Sequence, residues 1–203
     1  MASELVFDPE LFAPTLTEAQ FNRVRKVVYD LCGINLVPGK EGLVKTRLTK
    51  RLRTLGVRNF QDYLDHVEKD PAELGLMIDH LTTNKTSFFR EAHHFTYLQS
   101  QVLSTLKQSG EPLRFWSAGC SSGEEPYSIA IFLCEELRDL SRWDVKILAT
   151  DISGRMLAKA REAVYEEDVV AEVPLSLRAH YFSTLSMNDS RLYRLKNEPR
   201  SLV

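Results

Sequence analysis

The feature that most constrains this sequence is the run Arg114-Phe115-Trp116-Ser117-Ala118-Gly119-Cys120-Ser121-Ser122-Gly123-Glu124-Glu125-Pro126-Tyr127-Ser128. An apolar strand-like stretch enters a turn bracketed by two glycines and leaves it as a helix, with Pro126 in the first turn, where a missing N–H is harmless. Glycine tolerates positive φ and lets a ligand approach the backbone closely. The following helix opens with free N–H groups aimed at the same place. One helix later the run Val145-Lys146-Ile147-Leu148-Ala149-Thr150 ends in Asp151. A carboxylate at the end of the neighbouring strand can accept both hydroxyls of a ribose. The pattern predicts a grip on a nucleotide-like cofactor, centred on Gly119, Gly123 and Asp151. The alternative is an ordinary strand-to-helix turn, with Asp151 capping the next helix.

The flanking sequence organises around this unit. Phe21, Val24, Val27, Val28 and Leu31 recur at helical spacing and end at Cys32-Gly33; Val44, Leu48, Leu52 and Leu55 form a second stripe ended by Gly56. Two more helices are predicted over 60–67 and 74–81, separated at Asp70-Pro71. After Arg90, the residues Phe95, Leu98, Val102 and Leu106 mark a helix stopping near Gly110. Strand, turn, helix (about 124–140), strand and a helix over 154–163 follow, a β-α-β-α order that implies parallel strands with a right-handed crossover. In the tail, Leu192-Tyr193-Arg194-Leu195 reads as a short strand in a hairpin turning at Asn188-Asp189-Ser190.

Composition excludes several function classes. A net charge of −2 gives no reason to expect nucleic-acid or membrane binding. Cys32, Cys120 and Cys134 form no CxxC pair, so neither zinc nor a disulfide framework is suggested. His93 and His94 are adjacent, which points them to different parts of a helix surface and rules out an i, i+4 metal pair; no metal is expected. The N-terminus, MASELVFDPE, shows no basic start followed by an apolar run, and no segment is long enough to span a bilayer, so a cytoplasmic protein is expected. Cys120 suits the turn by its small size. Glu124 is read as pairing with the helix dipole, and Glu125 as a partner for a cationic group on the cofactor. In the basic segment 40–58, Arg47, Lys50 and Arg51 can share one helix face, by default a solvated one.

Three segments, TTNKTSFFREAHHF (82–95), FWSAGCSSGEEPYSIA (115–130) and ILATDISGRMLAKAREAVY (147–165), together resemble the chemotaxis-receptor methyltransferases, the CheR-like protein-glutamate O-methyltransferases. The resemblance covers almost the whole chain and implies an α/β protein. A helical N-terminal domain over 1–80 is followed by a partial Rossmann-like S-adenosylmethionine methyltransferase domain over 81–203, with a small β-subdomain at 166–203. It implies S-adenosyl-L-methionine as cofactor, held by Asn84, Thr86, Arg90, Gly119, Glu125 and Asp151. It also implies methylation of glutamates on the cytoplasmic helices of chemotaxis receptors, with docking of those acidic helices on Arg47, Lys50 and Arg51. Arg90 is the candidate for orienting the acceptor carboxylate through its forked guanidinium; a structural salt bridge is its plainer role. Asn84 and Thr86 would otherwise serve only to turn a loop.

The sequence ends at Val203, before the further strands that members of this family carry, including Asn-Leu-Leu-like and Asp-x-Ile-Phe-Cys-Arg-Asn-Val-like segments. One sheet edge and part of the adenine pocket are expected to be missing. The alternative reading is therefore a truncated, non-catalytic protein that binds receptor or cofactor. A nicotinamide-dependent oxidoreductase is disfavoured because no G-x-G-x-x-G is present.

Overall fold

Thr17 starts the first helix with a reciprocal cap: its hydroxyl accepts the Gln20 N–H, while the Gln20 side chain accepts the Thr17 N–H. The computed structural model describes residues 14–137, 139–187 and 190–203, so the N-terminal decapeptide lies outside the described residues. Helix α1 (Glu18–Cys32) ends where Gly33 turns left-handed, and α2 (Glu41–Leu55) ends in the same way at Gly56. Asn59 caps α3 (Phe60–Val67), and Asp70 caps α4 (Pro71–Leu81) by accepting the Ala72 and Glu73 N–H groups. The last helix thus begins one turn before the expected 74, because Pro71 occupies a first-turn position that needs no N–H.

These four helices share a core of Phe21, Val24, Val28, Val44, Leu48, Leu52, Phe60, Tyr63 and Met77. Leu31, expected in the first stripe, is instead 55% exposed. Within this core lies a charged residue. Glu73 is 3% exposed; it accepts the Arg51 Nε at 2.8 Å, a second bond from Arg51 Nη2, and the Tyr63 hydroxyl at 3.1 Å. Burial pushes the Glu73 carboxyl up, but the bonds from Arg51 and Tyr63 and the Arg51 charge outweigh it and hold it below the usual range. Arg47 donates to the carbonyls of Leu81 and Thr82 and to Thr83 Oγ1, satisfying acceptors that the end of α4 leaves open. The expected common docking face of Arg47, Lys50 and Arg51 is not a freely solvated one: two of the three side chains, the guanidiniums of Arg47 and Arg51, fasten α4 to α2. Lys50 remains exposed.

The chain divides into two compact units, one ending at Thr83 and the other beginning at Asn84. In the second, α5 (Ala92–Tyr97), a π-helical turn (Leu98–Val102) and α6 (Leu103–Ser109) replace the single helix expected. The π turn shifts the apolar face, so that Leu103 is buried while Val102 is only partly so. Strand β1 (Leu113–Ala118) pairs in parallel with β2 (Val145–Thr150), with α7 (Glu124–Glu136) and a short 3₁₀ turn (Leu140–Arg142) between them. Helix α7 stops before the expected 140: Leu137 leaves it in an extended conformation and is buried.

Helix α8 (Gly154–Glu162) leads into a second, antiparallel sheet. Its strands β3 (Val164–Glu166), β4 (Phe182–Met187) and β5 (Ser190–Leu195) are ordered β3-β5-β4, so the sheet draws on residues ahead of 166. Short helices α9 (Glu167–Val170) and α10 (Leu175–Tyr181) precede β4, and α11 (Asn197–Arg200) follows β5. The hairpin register ends at Met187 opposite Ser190; the expected turn residues Asn188 and Asp189 lie outside the described residues. No helix among the described residues is long and apolar enough to cross a membrane.

The Arg51–Glu73 pair sets a stability prediction. Arg51→Met strands a carboxylate in the core and is expected to cost about 3 kcal/mol, read as a lower urea midpoint. In the native chain the Glu73 contribution is complete above the unfolded glutamate value of ~4.3 and fades as pH falls through the lower folded value. In the variant the Arg51 bonds and charge are gone and burial is opposed only by the Tyr63 hydroxyl and the His66 charge, so the Glu73 carboxyl rises and the stability gap to the native chain is expected to shrink in mild acid.

Candidate cofactor site

The site is built where β1 and β2 end side by side, with Ala118 opposite Thr150. The Gly119 and Cys120 N–H groups both donate to the Thr150 carbonyl, at 2.8 and 2.9 Å, and the Gly123 N–H closes the turn onto the Cys120 carbonyl at 3.0 Å. Three of five residues have left-handed backbones: Gly119 at φ +83°, Ser121 at +49° and Gly123 at +100°. This geometry aims the Ser121 N–H at Asp151 Oδ2, 2.8 Å away.

Asp151 accepts the Ser153 N–H on its other oxygen, also at 2.8 Å. It is not the cap of α8, because Ser153 does that job by accepting the Met156 N–H at 3.1 Å. Each oxygen of an ionised carboxylate has room for more than one donor, and Asp151 is only partly buried. It therefore retains acceptor capacity for hydroxyl groups.

The two glycines differ in what surrounds them. A Cβ at Gly123 would come within 3.0 Å of Ala160 Cβ and Tyr127 Cε2, whereas one at Gly119 would meet nothing within 4 Å. Gly119 faces open space, as a ligand-approach glycine must; Gly123 is needed for packing, which corrects the equal treatment the sequence suggested. Cys120 is buried, and its thiol is pushed up by burial and by the Asp151 charge, in keeping with a packing role.

Helix α7 supplies two different acids. Glu125 is exposed, and its Oε1 accepts the Ser117 hydroxyl at 2.7 Å. Ser117 is fully buried on β1, so a hydroxyl in the core aims a surface carboxylate beside the turn. Sequence reasoning missed Ser117; its signal was a polar residue at an inward strand position. Glu124, read as a simple partner of the helix dipole, is 4% exposed, and burial raises its carboxyl despite bonds from Ser122 and the charge of Lys159.

The upstream segment 84–90 joins the same site. The Ser121 hydroxyl donates to the Asn84 carbonyl at 3.0 Å, and the Phe89 N–H donates to Ser128 Oγ at 2.8 Å. Phe88 anchors the segment edge-on against Tyr165 and Phe182. Asn84 and Thr86 are half-buried. Arg90 is exposed between two residues with left-handed backbones, Phe89 at φ +52° and Glu91 at φ +58°, a strain that commonly marks functional loops. Its Nη1 donates to the Lys85 carbonyl at 3.2 Å, and no salt bridge ties it down among the described residues.

The structure thus bonds Asp151 and Asn84 to Ser121, two residues after Gly119, and fastens Glu125 to Ser117 at the end of β1, with Arg90 on the same anchored loop. His93 and His94 do not diverge as expected; their rings lie 4.2 Å apart, edge to face. No cluster of His, Cys, Asp and Glu among the described residues could hold a metal ion.

Substituting the two glycines separates their roles. Gly119→Ala is expected to cost about 1 kcal/mol, the price of a left-handed alanine. Gly123→Ala adds the overlap with Ala160 and Tyr127 and is expected to cost about 3 kcal/mol in all. Thermal unfolding of both variants measures the gap; equal losses would contradict it.

Residues 84–203 match the family described as CheR methyltransferase, SAM binding domain, and residues 19–82 match CheR methyltransferase, all-alpha domain. The chain is 40% identical to a chemotaxis protein methyltransferase of Borreliella burgdorferi, over 84% of this chain and 63% of that protein. It is 41% identical to chemotaxis protein methyltransferase 2 of Pseudomonas aeruginosa, over 92% of this chain and 66% of the relative. The chemotaxis protein methyltransferase of Escherichia coli is 38% identical over 93% of this chain and 65% of its own length. The chain spans about two thirds of the length of these relatives. With both family domains matched in order across the cofactor turn and the helical unit, the chain belongs to the CheR methyltransferase family.

Proposed function

We propose that this chain binds S-adenosyl-L-methionine at the turn of residues 119–123 and, in the cytoplasm, methylates glutamate side chains on the cytoplasmic helices of chemotaxis receptors. The observation that carries the reading is the bond from the Ser121 N–H to Asp151, which holds a carboxylate with spare acceptor capacity beside the open face of Gly119. The match of residues 84–203 to a SAM binding domain supports it, as do the names of the relatives.

The residue chemistry fits the cofactor. Asp151 would accept its ribose hydroxyls, and Glu125, aimed by Ser117, would face its positive charge. Asn84 and Thr86 would line the site from the anchored segment. When bound, the cofactor supplies an electrophilic methyl group on a sulfonium. An acceptor glutamate, with an ordinary pKa of ~4.3, is already ionised at neutral pH, so the chain needs no strong base. Its task is to hold the acceptor carboxylate in line. Arg90 would do so through two parallel N–H donors, presented by a loop whose backbone is fixed on both sides of it.

Receptor docking needs a different basis from the one the basic segment suggested. Arg47 and Arg51 already bind groups of their own unit, so Lys50 is the member of that trio left to meet an acidic helix.

Calorimetric titration with S-adenosyl-L-methionine tests the proposal. Asp151→Ala is expected to lose roughly 2 kcal/mol of cofactor affinity, as for a hydrogen-bonding charged group, while the fold persists. Arg90→Lys is expected to lower methyl transfer to a receptor fragment about tenfold, the cost of exchanging a forked donor for a single ammonium. Absence of cofactor binding by the native chain would overturn the reading. Binding without transfer would leave a non-catalytic receptor- or cofactor-binding protein.

A further inference from the structure

Ser122, next to the N–H that meets Asp151, is held from two directions by buried groups. Its hydroxyl lies 2.8 and 2.7 Å from the two carboxylate oxygens of Glu124, and its carbonyl accepts the Tyr165 hydroxyl at 3.0 Å. Glu124 and Tyr165 are 4% and 5% exposed. The Tyr165 ring is fixed independently: it lies 5.0 Å from Phe88, edge-on, and its residue pairs with Tyr193 across the β3–β5 register. The same hydroxyl stands 3.1 Å from where a Gly123 Cβ would be.

These contacts meet a mechanical need. Ser121 occupies a left-handed conformation that a side chain disfavours by about 1 kcal/mol. Relaxing it would swing the Ser121 N–H away from Asp151. Burying a carboxylate and a phenol costs free energy unless both are bonded, and here both spend bonds on Ser122. We infer that Glu124, Ser122 and Tyr165 form a clamp that sets the turn in its ligand-ready shape, making them positioning residues for the cofactor. The inference rests on the proposed cofactor site, but the shape of the turn can be measured without the cofactor.

Ser122→Ala removes the hydroxyl, Ser122→Thr keeps one, and Tyr165→Phe keeps the ring while removing the bond to the carbonyl. In the chain without cofactor, hydrogen exchange at the Ser121 amide reports whether its bond to Asp151 stays closed. That amide is expected to exchange about tenfold faster in Ser122→Ala and Tyr165→Phe, the scale of one lost hydrogen bond. Ser122→Thr should restore the native rate. Titration with S-adenosyl-L-methionine should show a matching rise of about tenfold in Kd, again rescued by threonine. Unchanged exchange at Ser121 in both deleting variants would overturn the clamp. So would equal acceleration of core amides such as Ile131, which would mark a role in general stability alone. If the native chain fails to bind the cofactor, the proposed function falls, and the exchange rates still judge the clamp.

Discussion

The bond between the Ser121 N–H and the Asp151 carboxylate fixes the shape of the glycine turn in the second unit. It spans the ends of the two parallel strands and requires a turn in which three residues take left-handed backbones. Such a turn is costly by itself, and the surrounding structure over-determines it. Thr150 accepts two N–H groups at its base, Asn84 accepts the Ser121 hydroxyl, and Ser122 is bonded on both sides. Segments from three distant parts of the sequence are therefore committed to one local geometry.

The helical unit uses charge differently. Its basic residues invited a reading as a surface for acidic partners, yet Arg51 neutralises a buried glutamate and Arg47 closes the open carbonyls of a helix end. A buried ion pair need not add net stability over an apolar equivalent, but losing one partner is costly. Guanidiniums are well suited to both tasks, since a planar fork of donors satisfies a carboxylate or several carbonyls at once.

Periodicity and turn chemistry made most helices legible. Gly33 and Gly56 end theirs in left-handed caps, and Phe60–Val67 and Val145–Thr150 fall where apolar spacing puts them. The failures have local causes. A π turn broke the expected helix after Phe95, and Leu137 left its helix in order to be buried. At the site, Gly119 and Asp151 were readable because they sit at strand ends with a recognisable spacing. Ser117, Ser122 and Tyr165 were not, since a serine or tyrosine carries no sequence mark of the partner its hydroxyl will find.

By itself the sequence determined the order of the main helices and strands as far as α8, the position of the glycine turn and the family, because these rest on local propensity and on the spacing of particular residues along the chain. Only the tertiary structure decided which acids face solvent and which are buried, which glycine is open and which is packed, and which arginines are already engaged. Those properties depend on neighbours 20 or more positions away, as Arg51 with Glu73 and Ser122 with Tyr165 show. Burial and hydrogen bonding to such neighbours set what each polar group can do.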